Sequence, residues 1–393
     1  MNTVVMKFGG SSVADLDKIK NVAKIVKQRK NKDRVVVVVS AMGKTTNNLL
    51  DKASRLSKKP NLRDMDMLVA TGEIVSASLL SICLNEMDAE ATALTGFQAG
   101  FNSYGPHGSN KIEDVDITRI ERHLDDEEIV VVTGFQGMNE DGDITTFGRG
   151  GSDTSAVAIA AKLGAKCEIY TDVDGIYSVD PRIYKDAKKI DMLTYEELME
   201  MAHLGANVIE PRSVEIAERY GVEMEIRLND GITAGTRIIG GKTMEKTTLT
   251  NISKLDDVLL VSMTEPKGDR RIITECFLEL AKRNVNIDII SQTIVDGQTE
   301  ISFTSTESAK REIEEILTEK EIEYTMKCEV SKVSIVGTAM RNQVGIAAQV
   351  FQIFLNEDIQ FYEISTSEIS ISYVVDTKNT TRVIQRLAET FNI

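Results

Sequence analysis

Histidine and cysteine are both scarce in this chain of 393 residues, and the few present stand apart. His107, His123 and His203 form no cluster, which argues against a His-built metal centre and against a Ser-His or Cys-His hydrolase. Cys83, Cys167, Cys276 and Cys328 make no CxxC pair, so neither a zinc site nor a disulfide framework is indicated, and buried free thiols are expected. Positive charge is short as well. With 46 Lys and Arg against 61 Asp and Glu, the formal net charge is −15. That field repels polyanions, so neither nucleic acid nor an anionic membrane surface is an expected partner. Small anions remain open as ligands wherever cations are local, and Lys7 and Arg149, each beside glycines, are such places. No apolar run is read as approaching the ~20 residues of a membrane helix, and the opening MNTVVMKFGGSS lacks the features of a signal peptide. The expectation is a cytoplasmic chain of two or three domains.

What is present is ordered. Through about residue 230, short β-branched runs alternate with helical patterns. TVVMKF (3–8) reads as a strand, and Val13, Leu16, Ile19, Val22 and Val26 then recur at helical spacing. DRVVVVVSAM (33–42) is a continuous apolar strand of the kind buried on both faces of a parallel sheet. EEIVVVTGFQG (127–137) and KCEIYTDVDG (166–175) repeat it. Such alternation implies an α/β domain whose ligands gather at the carboxyl ends of the strands. A Gly-, Thr- and Lys-rich stretch follows and reads as a linker. Beyond it comes a repeat of about 74 residues. VLLVSM (258–263), a helix with Phe277, Leu278 and Ala281, NVNIDIISQT (284–293) and TEISFTS (299–305) form one copy. VSIVGT (333–338), a helix with Phe351 and Phe354, DIQFYEISTSE (358–368) and ISISYVVD (369–376) form the other. Each copy ends in a helix, so the pattern is a βαββαβ unit written twice: a pair of ferredoxin-like sandwiches suited to regulation or dimerisation.

Four stretches carry chemistry. KFGGSS (7–12) joins a strand to a helix; its glycines admit an anion to free N–H groups and Lys7 adds a charge, although a plain connector has the same form. The lysine precedes the glycines, so this is no Walker A loop. SAMGKTTNNLL (40–50) is a second such turn, with Thr45 or Thr46 as the expected helix cap. ATGEIVSASLL (70–80) puts Glu73 at the expected start of a helix, where it either complements the dipole or holds a substrate ammonium. TDVDGIYSVDPR (171–182) fails the spacing of a calcium loop. It fits a strand end with Thr171 and Asp172 on the crevice and Tyr177 and Arg182 following. TFGRGGSDTSA (146–156) sets an arginine among glycines ahead of an alanine-rich run, and reads as a phosphate turn, a substrate clamp or a flexible loop.

Together these motifs, in this order, resemble the aspartate kinases of the amino acid kinase family that carry two C-terminal ACT domains. The resemblance covers nearly the whole chain. It implies a three-layer αβα catalytic domain with a mostly parallel sheet over 1–235, a linker at 236–255, and ferredoxin-like ACT domains at 256–328 and 329–393. The second ACT domain is expected to be completed by a strand from about 247–253. The implied reaction is ATP plus L-aspartate giving ADP and 4-phospho-L-aspartate, the first step towards lysine, threonine and methionine. Mg²⁺ is implied as carried by ATP rather than by a protein metal site. Carried over residue by residue, Lys7 and Asp153 are the catalytic pair. Lys7, Gly9, Gly10, Ser11, Thr171, Asp172, Tyr177 and Arg182 serve ATP. Ser40, Thr46, Glu73, Arg149, Gly150, Gly151 and Ser152 serve aspartate, with Glu73 on its ammonium and Arg149 on its α-carboxylate. The resemblance further implies a homodimer or homotetramer through the ACT domains, and a lysine or threonine effector near Asp288, Gln292, Ser365, Thr366, Ser367 and Glu368.

The chain departs from the family pattern at several places. GANVIEP (205–211) puts Asn207 where a nucleotide-contacting lysine is common, which shifts the expected ATP contact to Arg182 and Lys185. In the first ACT copy EPKGDRR (265–271) replaces the usual effector turn, while in the second AMRNQVG (339–345) keeps the Met and the Gly, but Gln360 and Tyr362 stand where an Asn and an acidic residue are common. Glutamate, acetylglutamate or uridylate kinases, and a silent amino acid sensor, are the competing readings.

Overall fold

The computed structural model describes residues 1–206, 209–240, 248–264, 270–295, 298–338, 340 and 345–393. The chain divides into two units. The first comprises Met1–Ile176, Lys189–Ala202 and Asn207–Met244, the second Tyr177–Lys188, His203–Ala206 and Glu245–Ile393.

The first unit is built on an eight-stranded sheet of β1 (Asn2–Phe8), β2 (Asp33–Val39), β3 (Ala91–Leu94), β4 (Ile129–Thr133), β5 (Lys166–Thr171), β6 (Met192–Leu193), β7 (Met224–Leu228) and β8 (Thr236–Ile238), in the order β6-β8-β7-β5-β1-β2-β4-β3. Six of its pairings are parallel and β7–β8 is antiparallel. The all-apolar runs of the central strands follow from burial on both faces. Alternate residues of β1 and β2 (Val4, Met6, Phe8; Val35, Val37, Val39) pack with Ile19, Val22 and Val26 of α1 (Leu16–Lys30) and Ala77, Leu80 and Leu84 of α3 (Leu62–Glu86). The opposite face is covered by α5 (Gly151–Leu163), backed by α7 (Pro211–Tyr220). This is the expected three-layer αβα architecture. The period of two sends Lys7 to the α5 face.

Three local expectations need correction. Helix α1 begins after Val13, because Asp15 caps it by accepting the Lys18 N–H at 2.9 Å. Residues 236–238, placed in the linker, are a strand of the large sheet. A smaller four-stranded sheet of Phe101–Tyr104, Lys111–Val115, Gln136–Met138 and Ile144–Thr146 was not anticipated, since its strands run only three to five residues. A fourth concerns α3, which is long and apolar enough to cross a membrane, against the sequence expectation that no run approaches that length. Half of its apolar window is buried inside the fold, and the buried face includes Asp66 and Glu73.

The second unit is one antiparallel six-stranded sheet. Its strands are β9 (Thr248–Thr264), β10 (Ile290–Val295), β11 (Gln298–Thr306), β12 (Glu323–Thr338), β13 (Phe361–Thr366) and β14 (Ser370–Asp376), in the order β10-β11-β9-β12-β14-β13. The long strands β9 and β12 run through two ferredoxin-like halves. One half takes Val258–Thr264, α8 (Arg270–Lys282), β10, β11, α9 (Lys310–Glu319) and the start of β12. The other takes the end of β12, α10 (Ile346–Asn356), β13, β14, α11 (Thr380–Phe391) and the start of β9, which pairs Ile252 with Ile335. Register shifts between Leu255 and Leu260 mark where the strand passes from one half to the other. Glu363 on edge strand β13 accepts hydrogen bonds from Ser291 and Ser302 on β10 and β11, so the sheet coils until its opposite ends meet. The segment 177–188, read as part of the catalytic domain, belongs to this unit. Val179, Ile183, Tyr184 and Ala187 pack on the core around Val333, Ile335 and Leu387, and Ile252 N–H donates to the Ser178 carbonyl at 2.8 Å.

Candidate active site

Because β1, β2, β4 and β5 are parallel and in register, with Phe8 opposite both Val39 and Tyr170 and Val39 opposite Thr133, their carboxyl ends open on one edge. There Lys7, buried on the α5 face, extends its Nζ to 2.6 Å from Asp153 Oδ1 in the first turn of α5. The Phe8 and Tyr170 rings stack 4.5 Å apart on neighbouring strands behind it. The chain then passes through Gly9 and Gly10. A Cβ on Gly10 would stand 2.8 Å from the Ala41 carbonyl oxygen, so only glycine allows the two strand-end turns to lie this close. The Gly43 N–H donates to the Gly10 carbonyl at 3.0 Å, locking them together, and Ser11 is exposed on the same turn.

The second turn carries Ser40, whose hydroxyl lies 2.7 Å from that of Ser152. Helix α2 (Thr45–Leu56) starts after Lys44 with no side-chain cap, which corrects the capping expectation. Thr45 Oγ1 donates back to the Met42 carbonyl at 2.7 Å, while Thr46 is half-buried in the first turn.

Glu73 also departs from its expected setting. Helix α3 starts after Asn61, so Glu73 lies near the middle of the helix and no N-terminal dipole is available to it. It is 3% exposed. Its Oε1 accepts the Ala41 N–H at 3.0 Å and its Oε2 has no hydrogen-bond partner among the described residues. Burial pushes its carboxyl up to about 7, against the opposing pull of the Ala41 hydrogen bond. A buried half-satisfied carboxylate is costly unless a cation reaches it.

The 146–153 stretch is a tight turn into α5. Gly148 and Gly150 adopt φ of +74° and +64°, and a Cβ on Gly150 would stand 2.3 Å from the Glu210 Cβ. A Cβ on Gly151 would meet Phe135 and Phe147 at 2.9 Å. Arg149 is exposed and makes no ion pair among the described residues. At the end of β5, Thr171 Oγ1 donates to Asp172 at 3.2 Å.

Lys7, Gly9, Gly10, Ser11, Ser40, Thr46, Glu73, Arg149–Asp153, Thr171 and Asp172 thus share the first unit, on or beside its strand ends. Tyr177 and Arg182 lie in the second, where the exposed Arg182 forks onto Asp180 at 3.0 and 2.7 Å. Asn207 is outside the described residues. So are most of the two effector turns at 265–271 and 339–345. Two residues escaped sequence reading. Asp66, an acid inside an apolar helix, and Arg212, after the Glu-Pro of 210–211, both hold the Arg149 turn. No local pattern in the sequence marks either, because their partners lie 41 to 102 residues away.

In the second unit, Asp288 pairs with the buried Lys332 and Gln292 is exposed on β10. Ser365 and Thr366 end β13. Ser367 shapes the β13–β14 turn, its hydroxyl accepting the Ser370 N–H at 3.0 Å, and Glu368 is exposed. Tyr362 donates to Asp376 at 2.9 Å beneath the Lys327 ammonium.

A strand-end lysine paired with an acid on a glycine-led helix, in a three-layer αβα fold, is an arrangement suited to meeting a phosphoryl group. The model of the amino acid kinase family matches residues 2–227, and that of the ACT domain matches 333–391. The chain is 42% identical to aspartokinase 2 of Bacillus subtilis and 41% identical to the aspartokinase of Geobacillus stearothermophilus, with all of this chain and 98% of each relative aligned. The crystal structure of Synechocystis aspartate kinase, 36% identical, matches 99% of this chain and 69% of its own at a TM-score of 0.57. The fold of Escherichia coli aspartokinase III, crystallised with aspartate and ADP, matches over the full length of both chains at a TM-score of 0.82 and 24% identity. The chain belongs to the amino acid kinase family, and its full-length relatives place it among the aspartokinases.

Proposed function

We propose that the chain phosphorylates the side-chain carboxylate of L-aspartate from ATP. The observation that carries this reading is the presence, in one unit, of the buried Lys7–Asp153 pair together with Glu73 Oε2 and the Arg149 guanidinium, opposite charges that have no partner among the described residues. An amino acid offers an ammonium to the first and a carboxylate to the second. Its β-carboxylate, with an ordinary pKa near 3.9, is already ionised, so no general base is required and the scarcity of histidine is accounted for.

In the reaction, an aspartate oxygen bonds to the γ-phosphorus as the bond to the β,γ-bridging oxygen breaks, and ADP leaves with that electron pair. Lys7 Nζ neutralises charge on the transferring group, and Asp153 holds the ammonium in place. The Gly9–Gly10 turn borders the phosphates, with the Gly9 N–H held by the Tyr170 carbonyl at 3.4 Å; Ser40 and Ser152 border the acceptor, and Thr171 and Asp172 border the nucleotide. Among the described residues no three His, Cys, Asp or Glu come together as a metal cage. Mg²⁺ is read as arriving on the nucleotide's phosphates, where it would supply further charge neutralisation.

The second unit, with its ACT match and its Asp288 and Ser365–Glu368 candidates, is read as a regulatory module for lysine, threonine or both, and as the dimer- or tetramer-forming part. Assaying aspartate, glutamate, N-acetylglutamate and UMP with MgATP tests the activity, and turnover on a non-aspartate acceptor alone would overturn it. Titration with lysine, threonine and methionine, singly and in pairs, tests the regulation.

A further inference from the structure

We infer that Asp66 and Arg212 are positioning residues that set the Arg149 turn from two sides, and so determine how well the site takes the α-carboxylate of its acceptor. The inference rests on the reading that Arg149 binds that carboxylate.

Asp66 lies on α3 seven residues before Glu73, two turns along the same face. It is 1% exposed. Its carboxylate accepts from Thr146 Oγ1, from the Gly108 N–H at 3.0 Å and from His107 Nδ1 at 2.8 Å. Thr146 stands three residues before Arg149. From the other side, Arg212 on α7 donates through Nη1 to the Phe147 carbonyl at 2.7 Å and through Nη2 to the Asn110 carbonyl at 3.3 Å. The Asn110 N–H in turn donates to the Thr146 carbonyl at 2.9 Å, and the Phe147 N–H to the Phe135 carbonyl at 2.9 Å.

Thr146 and Phe147 therefore have their polar groups tied down by two charged side chains and the neighbouring backbone. Two residues on, the Arg149 side chain is exposed. One helix thus carries both parts of the acceptor clamp: Glu73 directly, and Arg149 through Asp66. A buried carboxylate is an expensive way to hold a turn, and here it fixes the spacing between the two charges the acceptor must bridge. Neither Asp66 nor Arg212 touches substrate in this account.

The test is steady-state kinetics on Asp66→Asn, Thr146→Val and Arg149→Lys, with thermal unfolding recorded for each, and on the Asp66→Asn/Arg149→Lys double variant. Asp66→Asn removes acceptor capacity from three donors and is expected to lower kcat/KM for aspartate by about tenfold or more, with the KM for ATP held within about twofold. Thr146→Val, which removes one hydroxyl and keeps the shape, is expected to act in the same direction more weakly, and carries the test if Asp66→Asn fails to fold. In the double variant the Asp66 penalty should shrink, because the turn no longer presents the guanidinium fork. A general loss of stability would lower both substrates' parameters and would add to the Arg149 effect unchanged. Folded variants with normal aspartate kcat/KM, or an Asp66 penalty that is the same with and without Arg149, overturn the inference. If Arg149→Lys alone leaves aspartate kcat/KM intact, the underlying clamp reading fails instead.

Discussion

The end of β1 and the turn before α5 each present a cation, and the fold treats the two in opposite ways. Lys7 is buried, springs from a central parallel strand and arrives already paired with Asp153. Arg149 is exposed, springs from a turn with two left-handed glycines and has no counter-ion among the described residues. A group that meets charge developing during a reaction gains from being fixed beforehand, because nothing need reorganise when that charge appears. A group that captures a ligand must keep its partner position open. The difference supports the proposed roles, Lys7 on the phosphoryl group and Arg149 on the acceptor, which the family resemblance implied from the motifs alone.

The largest effect expected is for Lys7→Ala. It should lower kcat by about a thousandfold or more, with circular dichroism and elution volume unchanged from the wild type; retention of a tenth of wild-type kcat would contradict the proposed role. Next is Glu73→Gln, expected to lower kcat/KM for aspartate by about a hundredfold while leaving the KM for ATP near normal.

Glu73 also gives a pH signature. Its folded value of about 7 lies above the ordinary 4.5, so between these the folded protein keeps a proton that the unfolded chain has released. Stability should therefore fall as pH rises through this window, by ~3 kcal/mol at most, and Glu73→Gln should flatten the curve. Over the same range the aspartate KM should rise as pH drops, since only the ionised carboxylate pairs with an ammonium. A smaller effect is expected for Gly10→Ala, whose Cβ meets the Ala41 carbonyl. The cost should be ~1–3 kcal/mol by chemical denaturation, with phosphate-side kinetics more affected than aspartate affinity.

Much of this was legible in the sequence, because the central strands are apolar on both faces and each ends in Gly, Ser, Thr or Asp. The repeat in the second half was equally plain, as each copy carries its own strand and helix periods. The failures have physical causes. Glu73 looked like a first-turn carboxylate because TGE stands in the middle of a long apolar helix whose true cap, Asn61, lies twelve residues earlier. The 177–188 segment reads as a catalytic-domain loop by position, yet its apolar side chains complete the core of the second unit. The short strands between 101 and 146 have too few residues for a period to register. The charges that hold the Arg149 turn, Asp66 and Arg212, act through tertiary contacts with loops about 40 to 100 residues away in sequence, and no local pattern reports those.

The most direct test of the contrast between the two cations is Arg149→Lys, which keeps the charge and removes the bidentate fork. Saturation kinetics in both substrates should give an aspartate KM raised about ten- to a hundredfold and an ATP KM changed less than about twofold. Equal losses for aspartate and ATP would contradict the account and return the 146–153 turn to the role of a phosphate-binding loop.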